Sequence, residues 1–238
     1  MKKIIISMLF LSFVVQVFAL GSRECGYYIK RVFSKEIEKM DCASFEQITG
    51  DYYKDKDNVY LYLDNNSRYI GFVKLENLDT SSFTVINEEY VRDKKIIYML
   101  DSLLEGADVK TFTILDFPLS KDKNTVYYYS HKLEESDPNT FEVMKNGYFK
   151  DENNIYYGYI LVKGADIKTF QIFDTNIPYS SYYSKDKNNI YYQGVRLEGA
   201  DLKSFEILGG FYSKDKNSVF YREEKVHKVN PRTIVVPY

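Results

Sequence analysis

The chain is 238 residues long and 45% hydrophobic, with Lys+Arg 32 against Asp+Glu 34. That balance excludes both a disordered charged tail and a strongly basic nucleic-acid binder, and it leaves enough apolar material for a packed core. Tyr 24 and Phe 16 beside Trp 0 favour strands, because flat rings suit a pleated, half-buried surface.

At the amino terminus, Met1-Lys2-Lys3 precedes an uncharged run from Ile4 to Leu20. A basic start, an apolar stretch and Val17-Phe18-Ala19 before Leu20 are the pattern of a signal peptide, so residues 1–19 are expected to be cleaved and the mature chain to be exported. The expected location is the periplasm, the cell surface or the medium, with no stable membrane span once the signal is gone. A retained anchor is the competing reading, but the run is marginal against the roughly 20 residues that cross a bilayer. Removing Lys2 and Lys3 makes the chain slightly more acidic, so no nucleic-acid partner is expected. Cys25 and Cys42 both lie near the start of the mature chain, in a compartment that permits a disulfide between them.

From Asp41 onward one short signature recurs. It begins at Asp41, Asp79, Asp108, Asp137, Asp166 and Asp201, each time running Asp-x-x-Ser/Thr-Phe, with a degenerate seventh copy at Asn230-Pro231-Arg232-Thr233-Ile234. A second signature runs in phase with it, opening at Asp55, Asp93, Asp122, Asp151, Asp186 and Asp215 as variations on Asp-Lys-Asn-Asn-Ile-Tyr. The period is 29 residues with two insertions, one holding Asp64-Asn65-Asn66-Ser67 and the other Ile177-Pro178-Tyr179, and both are expected in loops.

Asp186-Lys187-Asn188-Asn189-Ile190-Tyr191-Tyr192 and its copies resemble the signature of the bacterial DKNYY repeat family. The resemblance reaches over nearly everything after Cys25. It implies a bacterial protein, often exported, and supplies no catalytic residues and no cofactor. Lys95 in place of Asn and Glu152 in place of Lys are departures, and the first unit lacks the Asp-Lys-Asn turn.

Within one unit, Tyr182-Tyr183-Ser184-Lys185 and Ile190-Tyr191-Tyr192 read as strands around an Asp-Lys-Asn-Asn turn, since Asp and Asn bond their own backbone. Gln193-Gly194 reverses the chain into Val195-Arg196-Leu197, and the leading Asp of each first signature caps a single helical turn. Phe205-Glu206-Ile207-Leu208 reads as a fourth short strand. The expected fold is all-β: seven tandem units of about 29 residues, forming a single domain over 20–238, with adjacent sheets sharing cores. A propeller-like ring is favoured over an open β-solenoid array.

Chemistry is sparse. His131 and His227 are the two histidines and could at most form a two-ligand metal site, and Asp55, Asp57 and Asn58 offer too few oxygens for calcium without other help. No nucleophile–histidine–carboxylate spacing stands out, so the chain is expected to be non-catalytic. The candidate contact residues are tyrosines outside the repeated positions, Tyr69 and Tyr179, each in an insertion. The expected partner is an envelope protein or, alternatively, a glycan stacked on surface rings.

Overall fold

The computed structural model describes residues 40–64 and 70–236. These form six four-stranded antiparallel meanders and, between two strands, a short 3₁₀ turn at Ser180–Tyr182. Cys25, Tyr69 and the expected first strand at Tyr27-Tyr28 lie outside the described residues. The chain divides into two compact units, Met1–Lys110 and Thr111–Tyr238.

The first unit carries two sheets. One comprises β1 (Glu46–Thr49), β2 (Tyr52–Lys54), β3 (Val59–Asp64) and β4 (Ile70–Leu75); the next comprises β5 (Thr84–Val85), β6 (Tyr90–Arg92), β7 (Ile97–Met99) and β8 (Ser102–Leu103). The second unit carries four. They are β9 (Thr113–Asp116) to β12 (His131–Lys132), β13 (Glu142–Val143) to β16 (Ile160–Leu161), β17 (Gln171–Ile172) to β20 (Val195–Arg196), and β21 (Glu206–Gly209) to β24 (Glu224–Val226). The seven copies of the first signature therefore bracket six sheets. The last copy keeps its turn, with the Thr233 N–H on the Asn230 carbonyl at 3.2 Å, but residues 234–236 form no strand.

Each sheet is built the same way. The Asp-capped turn is closed by an i to i+3 bond, such as the Ser204 N–H to the Asp201 carbonyl at 3.2 Å, and it delivers the chain to the next sheet before the alternating stretch begins. Glu206–Gly209 is thus the first strand of the sheet that follows, not the fourth of the one before, and Phe205 stays outside it as a core plug. In three of the sheets a cross-strand Lys–Glu pair ties the first strand to the second: Lys54–Glu46, Lys150–Glu142 and Lys214–Glu206. The Asp-Lys-Asn turn joins second and third strands. After the first sheet, third and fourth strands meet at a two-residue turn, as at Gln193 (φ 46) and Gly194 (φ 82), which both take the left-handed conformation. Gly194 has no alternative, because a Cβ there would stand 2.9 Å from the Cβ of Tyr157.

The two insertions fall where the frame tolerates them. The first lengthens β3 and β4 to six residues each, paired out to Asp64 and Ile70. The second fills the connection between β17 and β18 (Tyr183–Lys185) with the 3₁₀ turn.

Alternation along the strands explains how sheets stack within a unit. In the sheet of β13 to β16, Phe149 and Tyr156 join Leu119, Val126 and Leu133 of the preceding sheet. Their neighbours Tyr148 and Ile155 point the other way, to Val162 and to Tyr191 of the following sheet. One sheet thus gives a face to each neighbour, which is why Ile-Tyr-Tyr is apolar on both sides. Fully burying a large apolar side chain stabilises by about 2 kcal/mol, so no single 29-residue sheet buries enough alone and the cores between sheets hold the unit together.

Candidate functional site

The residues that repeat most faithfully are committed to the frame. Asp55, Asp93, Asp122, Asp151, Asp186 and Asp215 are all buried, at 2–4% exposure. Asp186 shows the arrangement: Oδ1 accepts the N–H groups of Asn188 and Asn189, both at 2.7 Å, and Oδ2 accepts the Tyr191 hydroxyl and the N–H of Asp166, both at 2.8 Å. The last of these bonds links the two signatures across 20 residues. In the other sheets the same bond runs from Asp41 to Asp55, Asp79 to Asp93, Asp137 to Asp151 and Asp201 to Asp215, at 2.7–3.0 Å. Burial pushes the Asp186 carboxyl up, but the four donors outweigh it and hold its pKa below the ordinary 3.8.

The capping aspartates sit at the surface of the same hub. Asp41, Asp79 and Asp137 accept the N–H two residues on, and Asp166 and Asp201 the N–H three residues on. Asp108, near the end of the first unit, is half-buried. The signature hydroxyls of Ser44, Thr111, Thr140, Thr169 and Ser204 complete the lock by accepting an N–H from the following turn, as Thr169 does from Lys187 at 3.1 Å and Ser204 from Lys216 at 3.1 Å. Both oxygens of the Asp55 and Asp186 carboxylates already face donors. Among the described residues no three His, Cys, Asp or Glu side chains gather as metal ligands. His131 instead stacks on Tyr159 at 4.8 Å, and His227 follows the last strand, three sheets away in chain order. Cys42 is disulfide-bonded and half-buried. Among the described residues no helix is long and apolar enough to cross a membrane.

The residues left free for other work lie at the opposite ends of the strands. Each sheet of the second unit has two turns there, between its first and second strands and between its third and fourth, joined by one bond: Tyr129 N–H to Pro118 O, Gly158 to Gly147, Gln193 to Tyr182 and Arg222 to Phe211, at 2.7–2.8 Å. In the second unit these turns carry rings. Phe117 meets Tyr129 at 5.5 Å, and Tyr129 meets Tyr128 at 5.0 Å. Gly158 lies beneath the Tyr128 ring, where a Cβ would stand 3.7 Å away. The Gln193 amide donates to the Tyr157 hydroxyl at 3.0 Å. Burial first, then the Tyr182 and Tyr128 hydroxyls, raise the Tyr157 pKa against that bond.

The row continues through the second insertion. Tyr182 stacks parallel to Phe211 at 6.3 Å, Tyr179 lies 4.7 Å from the same ring, and the Arg222 guanidinium sits 5.2 Å over it. Tyr179, half exposed in the left-handed conformation (φ 64), forms the lip of a cleft of about 670 Å³ with Ile177, Pro178, Leu208, Ile234 and Val236. Phe117, Tyr129 and Tyr159 are similarly exposed.

Sequence reading singled out Tyr179 but missed Phe117, Tyr129, Tyr159, Phe211 and Arg222. The signal was present: the residue after the third strand is Leu100, Tyr129, Gly158, Gln193 and Arg222 in successive sheets, a different side chain at a fixed, left-handed or glycine position. A position that the frame holds fixed while its side chain varies is where a repeat protein displays specificity.

No match was found among curated proteins or among solved structures. The family model described as the DKNYY family matches residues 61–195 and 183–236, a span that takes in five of the six sheets whole and most of the β3–β4 hairpin of the remaining one. The chain belongs to the DKNYY family.

Proposed function

We propose that this chain is an exported, non-catalytic binding module of the bacterial cell envelope, and that the ring-bearing ends of the sheets in the second unit are its contact surface. One observation carries the reading: exposed rings recur at the tips of successive sheets, where burial does not require them, while the repeated carboxylates are spent on holding the turns. Export rests on the basic and apolar start of the chain. The seven signatures favour a propeller-like ring over an open β-solenoid.

A photo-activatable amino acid placed at Tyr129 or Tyr159, with a control at the exposed turn residue Asn153 on the opposite strand ends, tests the surface in the envelope of the producing bacterium. Adducts are expected at the first two positions and not at the third. Equal labelling at both ends, or none, would remove the reading.

A further inference from the structure

The chemistry of the ring-bearing end narrows its ligand, given that it is the contact surface proposed above. Three features of this end bear on what it takes. First, the rings are not aliphatic grease but come with polar handles: the tyrosine hydroxyls, the Gln193 amide at 3.0 Å from Tyr157, and the Arg222 guanidinium. Second, the local charges nearly cancel. Lys145 and Asp174 pair at 2.6 Å, and Arg222 stands beside Glu223 with Asp116 further along the row. A nucleic-acid strand also stacks on rings, but its phosphates need a cationic groove that these turns do not provide. Third, the surface is periodic. It advances one turn pair per sheet, in steps of about 10 Å, the usual spacing of packed sheets.

We infer that the ridge from Phe117 and Tyr129 through Tyr159 to Tyr179 binds a neutral linear polysaccharide, stacking sugar faces on exposed rings and hydrogen-bonding sugar hydroxyls to the groups between them. A sugar ring offers one face of axial C–H groups to an aromatic ring and an equatorial rim of hydroxyls to polar side chains, which is the alternation this ridge displays. A chain of such rings meets a periodic ridge at several sheets at once, so weak contacts add along its length.

The probes are cello-oligosaccharides and N-acetylglucosamine oligomers from dimer to hexamer, with alginate as an anionic control. With Trp 0 in the chain, tyrosine fluorescence reports binding directly, and mobility in gels containing soluble neutral polysaccharide gives a second readout. At least one neutral series is expected to bind, more tightly as the oligomer lengthens. Tyr129→Gly, which installs the residue carried at the equivalent Gly158, and Tyr159→Ala should each weaken binding by about tenfold while leaving the melting temperature in place. Tyr159→Phe should retain most of the affinity, because the stacking face remains.

No binding by any neutral oligomer, tighter binding of alginate, or unchanged affinity in both ring-removal variants would each overturn the inference. The outcome is separable from that of the broader proposal: protein adducts at Tyr129 and Tyr159 with no sugar binding would discard the polysaccharide and keep the surface.

Discussion

The two units share one frame and differ at its tips. In the first, the turns opposite the Asp-Lys-Asn end carry Asp51, Glu88, Glu89 and Asp101, close enough to the Tyr52 hydroxyl that Glu89, Asp51 and Asp101 add to the upward push of burial on its pKa. In the second, the equivalent turns carry Phe117, Tyr129, Tyr159, Tyr179 and Phe211. The hub does not change between them: Asp55 and Asp186 make the same set of four bonds. A repeated sequence can thus keep its stability at one end of every sheet and vary its surface at the other.

The comparison breaks most forcefully at the hub. Replacing Asp186 by Ala leaves the N–H groups of Asp166, Asn188 and Asn189 and the Tyr191 hydroxyl without their acceptor in a buried place. The cost is expected to be about 3 kcal/mol or more, and Asp55→Ala in the first unit should cost nearly as much. Urea unfolding of the two variants measures both. A large loss at one site with almost none at the other would refute the claim that one frame serves both units.

A finer difference lies in the cores. Within a unit, the leading residue of a second strand faces the middle residue of the next sheet's second strand. Leu119 meets Phe149, whereas Tyr148 donates or accepts at 3.0 Å with the buried Ser184, and Tyr183 turns its hydroxyl to the Phe211 carbonyl at 3.0 Å beside Ser213. A large polar-tipped ring is matched by a small hydroxyl, and an aliphatic residue by a ring. Tyr52 in the first unit departs from this: Val91 stands where Ser184 and Ser213 stand, and the Tyr52 hydroxyl is buried with no hydrogen-bond partner. Tyr148→Phe should therefore destabilise by about 1–2 kcal/mol, since it also strands the Ser184 hydroxyl, while Tyr52→Phe should be neutral or slightly stabilising. Thermal melts of the two single variants decide it. Equal losses would mean that the mismatch in the first unit has no energetic consequence.

These contrasts also show what the sequence could and could not disclose. The hub aspartates were legible because every copy needs the same two turns at a fixed separation, and even the six-residue insertion before Asp186 left the bond from Asp166 intact. The apolar run Val126-Tyr127-Tyr128-Tyr129, with large side chains for both faces of a strand, is consistent with the expected sharing of cores between adjacent sheets. What stayed hidden depends on which sheet a segment joins and on partners a whole period away. Glu206–Gly209 looks equally suited to the sheet before it and the sheet after it, and nothing local says that Tyr148 needs Ser184, 36 residues on. The ring-bearing tips were hidden for the opposite reason: they are the positions that do not repeat, so a search for recurring motifs passes over them.

The gentlest way to probe the shared hub removes only a proton. Tyr191 donates to Asp186 at 2.8 Å, and burial first, then that bond and the nearby carboxylate charge, raise its pKa to about 12 from the ordinary 10.0. The unfolded chain gives up this proton near pH 10 while the folded chain keeps it until about pH 12, so the stabilisation is complete below pH 10 and is lost as pH rises from 10 to 12. Tyr98, at the same place in the second sheet of the first unit, donates to the Glu76 carbonyl at 3.1 Å; burial first, then the Glu76 and Glu105 charges, raise its pKa, while that neutral acceptor's bond lowers it. Tyr191→Phe should accordingly flatten part of the decline in melting temperature between pH 10 and 12, and Tyr98→Phe should flatten it less. The reverse order would show that the tyrosine facing a buried carboxylate is not the one whose ionisation the fold resists.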